Sequence, residues 1–321
     1  MVLRTTLYLA LHLTNDTMLR FITRRVAFIL AVCLAIIFLS YLGMGMIRNS
    51  EAAQPNFDMV PQVKLAWQRS QVYISSLLEG EISFKISQPG LSGVDTGQGN
   101  AFHNSMMLLA IALGGSVLIG LSLGAFGALT KRKKLVTALL FLVLIGISTP
   151  VFFSAYFLQQ IEILYLFFFG RSLVSVAGFG WDIDHMLLPI LVLAARPVAY
   201  LTRHSFIALN RVMEENYIRT AYAKGLGQRY TVIVHALRNL AIPILTAIGV
   251  SLRFSLGSLP VVEFIFLWPG IGLRLLQAIN NREAAVVVTL VLMLGLTILG
   301  INLILDITYR FVDPRIRDND L

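Results

Sequence analysis

Charge is scarce in this chain. Only 13% of its 321 residues are Asp, Glu, Lys or Arg, against about a quarter in soluble domains, and 57% are hydrophobic. That excludes an ordinary water-soluble globule, and a mean hydropathy of +0.77 makes an integral membrane protein the default. Cysteine is nearly absent. Cys33 stands alone inside an apolar run, so no disulfide can form within the chain and a buried thiol is expected. The five histidines, His12, His103, His185, His204 and His235, nowhere fall at metal-ligand spacing. The chain has no G-x-x-x-x-G-K-[ST] loop, no H-E-x-x-H and no serine in a nucleophile elbow. It is therefore read as a non-enzyme with no cofactor of its own, whose energy source must be bound from elsewhere. The net charge of +9 does not point to nucleic acid, because the basic residues sit in short clusters beside apolar spans, the pattern that orients a membrane protein.

What is present is a series of long apolar runs. Residues 1–25 form a basic N-terminal segment, and Met18–Arg25 reads as a fresh start before an uncharged run at 26–47. Twenty-two residues suffice to cross about 30 Å of hydrocarbon. Residues 48–104 are of mixed polarity, read as an extramembrane segment with a short helix near Val63–Leu78. Further spans are expected at 105–129, at 135–161 with a kink at Pro150, and at 186–202, 240–262 and 284–305, before a polar tail at 306–321. Glu162–His185 and Glu263–Glu283 are read as outer connections. Gly120 and Gly124 share a helix face and suit close packing. Lys and Arg divide 17 to 7 between the two sides, with Arg196 and Arg253 inside spans. The fold expected is thus an all-α membrane protein of six transmembrane helices with N- and C-termini cytoplasmic.

Between the fourth and fifth spans lies a polar island, Glu214–Ile244. Its first part reads as a short helix on which Tyr217, Ala221 and Lys224 share a face beside Thr220, ended by Gly225 and Gly227. A second helical piece runs from Arg229 through His235 and Arg238 to Pro243.

Residues Asn216–Gly225, His235–Asn239 and Pro243 resemble the EAA loop of permeases of binding-protein-dependent ABC importers, in the dipeptide/oligopeptide/nickel branch. Val261–Phe266, Trp268–Gly272, Asp313–Arg317 and the Met18–Arg25 start extend the likeness over most of residues 105–317. The resemblance implies the MetI-like permease fold of type I ABC importers in a bacterial inner membrane, with a core permease domain at 105–305. It also implies that the chain pairs with a homologous second permease, two cytoplasmic ABC ATPase subunits carrying ATP and Mg, and an extracytoplasmic solute-binding protein. The island would be the ATPase-coupling loop, with Glu215, Asn216, Tyr217, Arg219, Thr220, Ala221, Ala223, Lys224 and Gly225 as its working residues. In physical terms, Ala221 and Ala223 would allow close helix approach, Tyr217 would fill a pocket, and Arg219 and Lys224 would pair with acidic groups. Gly225 would permit the turn. The bland alternative is an amphipathic loop lying on the lipid surface.

Charged residues within or beside spans are candidates for a substrate path, because a charge in lipid costs several kcal/mol. These are Arg196, Arg253 and Glu263; the alternatives are internal ion pairs or snorkelling side chains. Trp268–Gly270 is read as a rigid structural turn. The expected cargo is a peptide or similar small polar solute, imported. An exporter of the same type, carrying polyamines for example, is the first alternative. An ion-coupled carrier is disfavoured for lack of midplane carboxylates, and a scaffold without transport is the last. The stretches 49–55 and 87–100 depart from the family's usual pattern, and both lie on the side where cargo would be met.

Overall fold

A computed structural model describes residues 2–50, 59–79 and 101–312, and among them every element is helical. The order is α1 (Val2–Ser50), α2 (Met59–Leu78), α3 (Ala101–Leu129), α4 (Lys133–Ser148), α5 (Val151–Phe169) and α6 (Ile183–Met213). Then follow α7 (Asn216–Ala223), α8 (Gln228–Tyr230), a π-helical turn (Thr231–Ala236), α9 (Leu237–Ile265), α10 (Ile271–Asn280) and α11 (Ala284–Val312). Six stretches are long and apolar enough to cross a membrane: Ile22–Ile47, Ala101–Leu129, Val151–Phe169, Ile183–Met213, Asn239–Ile265 and Ala284–Thr308. The divergent stretches at 49–55 and 87–100, apart from the helical residues 49 and 50, lie outside the described residues, as does the tail motif Asp313–Arg317.

Three sequence expectations are corrected. The third span, expected as one kinked helix over 135–161, is two helices. Thr149 is extended, Pro150 supplies no N–H to continue the ladder, and α5 starts afresh at Val151. Because α5 runs on to Phe169, Glu162 lies inside a helix and is buried instead of beginning an outer loop. The fourth span does not stop at Thr202. Nothing breaks the helix before Glu214, and its two internal prolines, Pro189 and Pro197, are accommodated. The second piece of the island is helical over Arg229–Pro243 as expected, running through α8 and the π-helical turn into α9 without a break.

Helices α1 and α2 with residues 278–303 form one compact unit. Its core is built from Ile37 and Tyr41 of α1, Ala66 and Tyr73 of α2, and Val288 and Leu292 of α11. Tyr73 Oη and Thr289 Oγ1 share a hydrogen bond of 2.9 Å, which satisfies a phenol that packing has removed from solvent.

Residues 101–277 with 304–312 belong to the second unit, which carries the island. Its centre is the crossing of α3 and α6. In lipid no hydrophobic drive separates helix from bilayer, so association depends on close van der Waals packing. The glycines of α3 supply it. A Cβ on Gly120 would lie 2.7 Å from Leu201 Cβ, and one on Gly124 would meet Thr202 O at 2.6 Å. Ser205 Oγ, buried at this crossing, donates to Leu201 O at 2.7 Å within its own helix.

Candidate functional site

Glu214 and Glu215 end α6 and turn the chain into α7. Only eight residues long, α7 is held by two side chains. Ile218 is fully buried and Ala221 is 5% exposed. Ile218 enters a core with Leu209, Ala236 and Leu240. Ile218 and Ala221 are three apart and so share one face, leaving Asn216, Tyr217, Arg219, Thr220, Tyr222, Ala223 and Lys224 outward and exposed. Ala221 therefore packs inward, while Tyr217 and Lys224, grouped with it by spacing, are exposed. Tyr217 is 40% exposed, but its hydroxyl accepts from the Asn239 amide at 2.8 Å, so the ring is tied to the start of α9. The helix closes when Lys224 N donates to Thr220 O and the chain reverses at Gly225. There φ is +79°, a left-handed conformation that costs an L side chain about 1 kcal/mol or more.

The three charged residues read from the sequence as path candidates are placed quite differently. Arg196 sits mid-way along α6, half-buried. Its Nε and Nη2 reach Ile147 O at 3.4 and 3.3 Å, and its guanidinium lies 5.3 Å from the centre of the Phe254 ring. Ile147 is in the last turn of α4, where the break at Pro150 leaves carbonyls without helical partners. Arg196 thus caps α4 and stacks on α9 at once. Arg253 is exposed in the middle of α9, and among the described residues it has no ion pair or hydrogen bond. Glu263 is fully buried near the end of α9.

Glu263 organises the turn that follows. Its Oε1 accepts from Ser105 Oγ at 2.5 Å, and its Oε2 from Gly272 N at 2.6 Å and Leu273 N at 3.3 Å. Ser105 Oγ in turn accepts from Ile271 N at 2.8 Å. The first three N–H groups of α10, which have no partner within their helix, are all satisfied this way, and the carboxylate lies at the positive end of that helix. A Cβ on Gly270 would collide with the Glu263 carboxylate and one on Gly272 with Pro260, so both glycines are required. Trp268, fully buried, donates from Nε1 to Asn104 O at 3.3 Å, while the Asn104 amide donates to Pro269 O at 2.9 Å. Phe179 and Trp181 pack edge-on against the Trp268 indole.

The structure also assembles a ladder that the sequence reading missed. Arg196, Tyr200 and His204 lie four apart on α6; the Tyr200 and His204 rings are 4.1 Å apart, and Tyr200 meets Phe254 at 5.4 Å. The spacing was visible, but nothing in sequence brought Phe254 to it. Ser105 carried no signal at all, being one more small residue at the edge of an apolar run.

Six apolar helices, an exposed polar island and a mid-span Arg253 with no ion pair or hydrogen bond among the described residues are features a transport permease would carry. Residues 99–318 match the family described as binding-protein-dependent transport system inner membrane component, and the chain belongs to that family. It is similar to a dipeptide transport system permease protein of Alkalihalophilus pseudofirmus, 29% identical over 275 residues, covering 78% of this chain and 81% of that one. It is also similar to a glutathione transport system permease protein of Shigella flexneri serotype 5b, 31% identical over 245 residues, covering 76% and 78%. The chain is therefore a permease component of an ABC importer and a multi-pass inner-membrane protein, and the exporter alternative falls away.

Proposed function

We propose that this permease imports short peptides or similar small polar solutes, driven through the island Glu214–Ile244 by an ATPase docked on it. The observation that carries the coupling reading is the division of α7. Ile218 roots it in a core with Leu209 of α6 and Leu240 of α9, and Ala221 is buried on the same face, so a push on the exposed face of Arg219, Thr220, Ala223 and Lys224 is passed to α6 and α9. Glu215 and Asn216 start the helix, Tyr217 ties it to α9, and Gly225 ends it. The dipeptide and glutathione named for the two relatives support the cargo class.

In this reading both chain ends are cytoplasmic, following the 17 to 7 division of basic residues. A homologous second permease completes the pore, two ATPase subunits bind and hydrolyse ATP with Mg, and an extracytoplasmic binding protein delivers the solute. Arg253 faces the wet path, because an unpaired guanidinium held in lipid costs several kcal/mol. It complements a peptide carboxylate, with Arg196 one helix away. Glu263 takes no part in the path, since its oxygens are already occupied.

Reconstitution in liposomes tests the function: peptide-loaded binding protein is expected to stimulate ATP hydrolysis by the assembled transporter. Because Ala221 packs inward, the clean probe of docking is Arg219→Glu with Lys224→Glu. This pair is expected to weaken ATPase association by about tenfold or more, with unfolding temperature unchanged. Undiminished co-purification of the ATPase would remove the island from the coupling role.

A further inference from the structure

An apolar groove of about 400 Å³ opens between α4, α5 and α6. It exists because the break at Thr149–Pro150 turns α5 away from α4, while Ala195 and Ala199 on α6 are too small to fill the space. Leu139, Leu142, Phe153 and Phe157 form its other walls. Three hydroxyls also line it, and each is spent on its own helix. Thr149 Oγ1 donates to Ile145 O at 2.6 Å, Ser154 Oγ to Pro150 O at 3.4 Å and Thr202 Oγ1 to Val198 O at 2.7 Å. The groove therefore offers an occupant methyl and aromatic surface and no free donor. That rules out a polar solute and suits a hydrocarbon chain.

The ends of the groove are equally informative. From Leu139 to Thr149 it extends about 15 Å along α4, close to half the thickness of a bilayer's hydrocarbon core. About 9 Å below Leu139 the helix begins at Lys133, within the run Lys131-Arg132-Lys133-Lys134, whose four side chains are all exposed. Arg132 caps the start of α4 and Lys133 opens it, so the basic run stands at the end of the helix from which the groove-lining residues Leu139, Leu142, Val143 and Gly146 follow. A run of cations at the start of an apolar helix, beyond one end of an apolar slot one leaflet deep, matches the two ends of an anionic lipid.

We propose that the groove between α4, α5 and α6 is a binding site for an anionic phospholipid, with an acyl chain between Leu142, Phe157 and Ala199 and the headgroup phosphate on Lys131–Lys134. The site rests on groove chemistry and the basic run, and it stands apart from the coupling reading. A bound lipid would wedge the bend between α4 and α5 and brace the α4 cap at Arg196.

The test is native mass spectrometry of the assembled transporter, delipidated and then titrated with phosphatidylglycerol or phosphatidylcholine. Retention of phosphatidylglycerol with about a tenfold preference is expected. Changing Lys131, Arg132, Lys133 and Lys134 together to Gln should abolish the preference, and Leu142→Trp, which fills the slot, should reduce retention of either lipid. Because the quadruple change can disturb insertion, Leu142→Cys in a Cys33→Ser chain supplies a second measurement, and it should react with an acyl-chain photoprobe and not with the partner permease. Equal retention of both lipids, wild-type binding by a correctly assembled Leu142→Trp chain, or a cross-link from position 142 to another subunit would each overturn the proposal.

Discussion

The turn after α9 and the island after α6 are both rich in polar residues and glycine, yet they use them in opposite ways. At the turn, the Glu263 carboxylate, the Ser105 hydroxyl, the Asn104 amide and the Trp268 indole N–H all bond within the fold. In the island, Arg219 and Lys224 project outward, while Tyr217 is tied to Asn239 and the Thr220 hydroxyl to Asn216 O in its own helix. The difference teaches how to read charge in a membrane protein. A polar group that meets several donors holds the fold together, whereas the exposed Arg219 and Lys224 side chains would be the ones to meet a partner in the coupling proposed above.

The most severe way to break the comparison is at the turn. Gly272→Val would drive a side chain into Pro260 and the Glu263 carboxylate, and should lower stability by about 4 kcal/mol or more, read from thermal unfolding of the purified chain. Glu263→Gln keeps the shape but sets an amide against N–H donors. It is expected to cost about 2–3 kcal/mol in the same measurement. The island should respond more locally. Gly225→Ala forces φ +79° on a side chain with open space around it, costing about 1 kcal/mol and raising hydrogen exchange in α7 while the unfolding temperature barely moves. If Gly225→Ala unfolded the protein as Gly272→Val does, the contrast between the regions would be lost.

The smallest effect belongs to the start of α6. Asp182 caps that helix, and its carboxyl is held below the ordinary range, first by the His185 N–H and then by the His185 ring. A carboxyl lowered in the folded state stabilises above its unfolded value, and that contribution disappears as pH falls through the lowered one. Protection of the first-turn amides of α6 should therefore fall only as pH drops below the ordinary aspartate range, and Asp182→Asn should flatten that dependence.

The sequence alone determined the membrane class, the six apolar spans and the family. Length, hydropathy and linear motifs are local properties, and a span of about twenty apolar residues has few other ways to satisfy its backbone in lipid. It also placed Gly225 at a turn and Pro150 at a bend, since each acts through its own backbone geometry. Tertiary structure alone decided what the polar residues are for. Arg196, Arg253 and Glu263 look alike as charges in apolar runs, yet one caps a neighbouring helix, one stays unpaired and one is enclosed. Spacing grouped Ala221 with Tyr217 and Lys224, but which side of an eight-residue helix turns inward depends on where Ile218 finds Leu209 and Ala236, one before it and one after it in the chain. The reason is physical: a hydrogen bond couples Tyr73 to Thr289 across 216 positions, and Ser105 and Gly272 meet at Glu263.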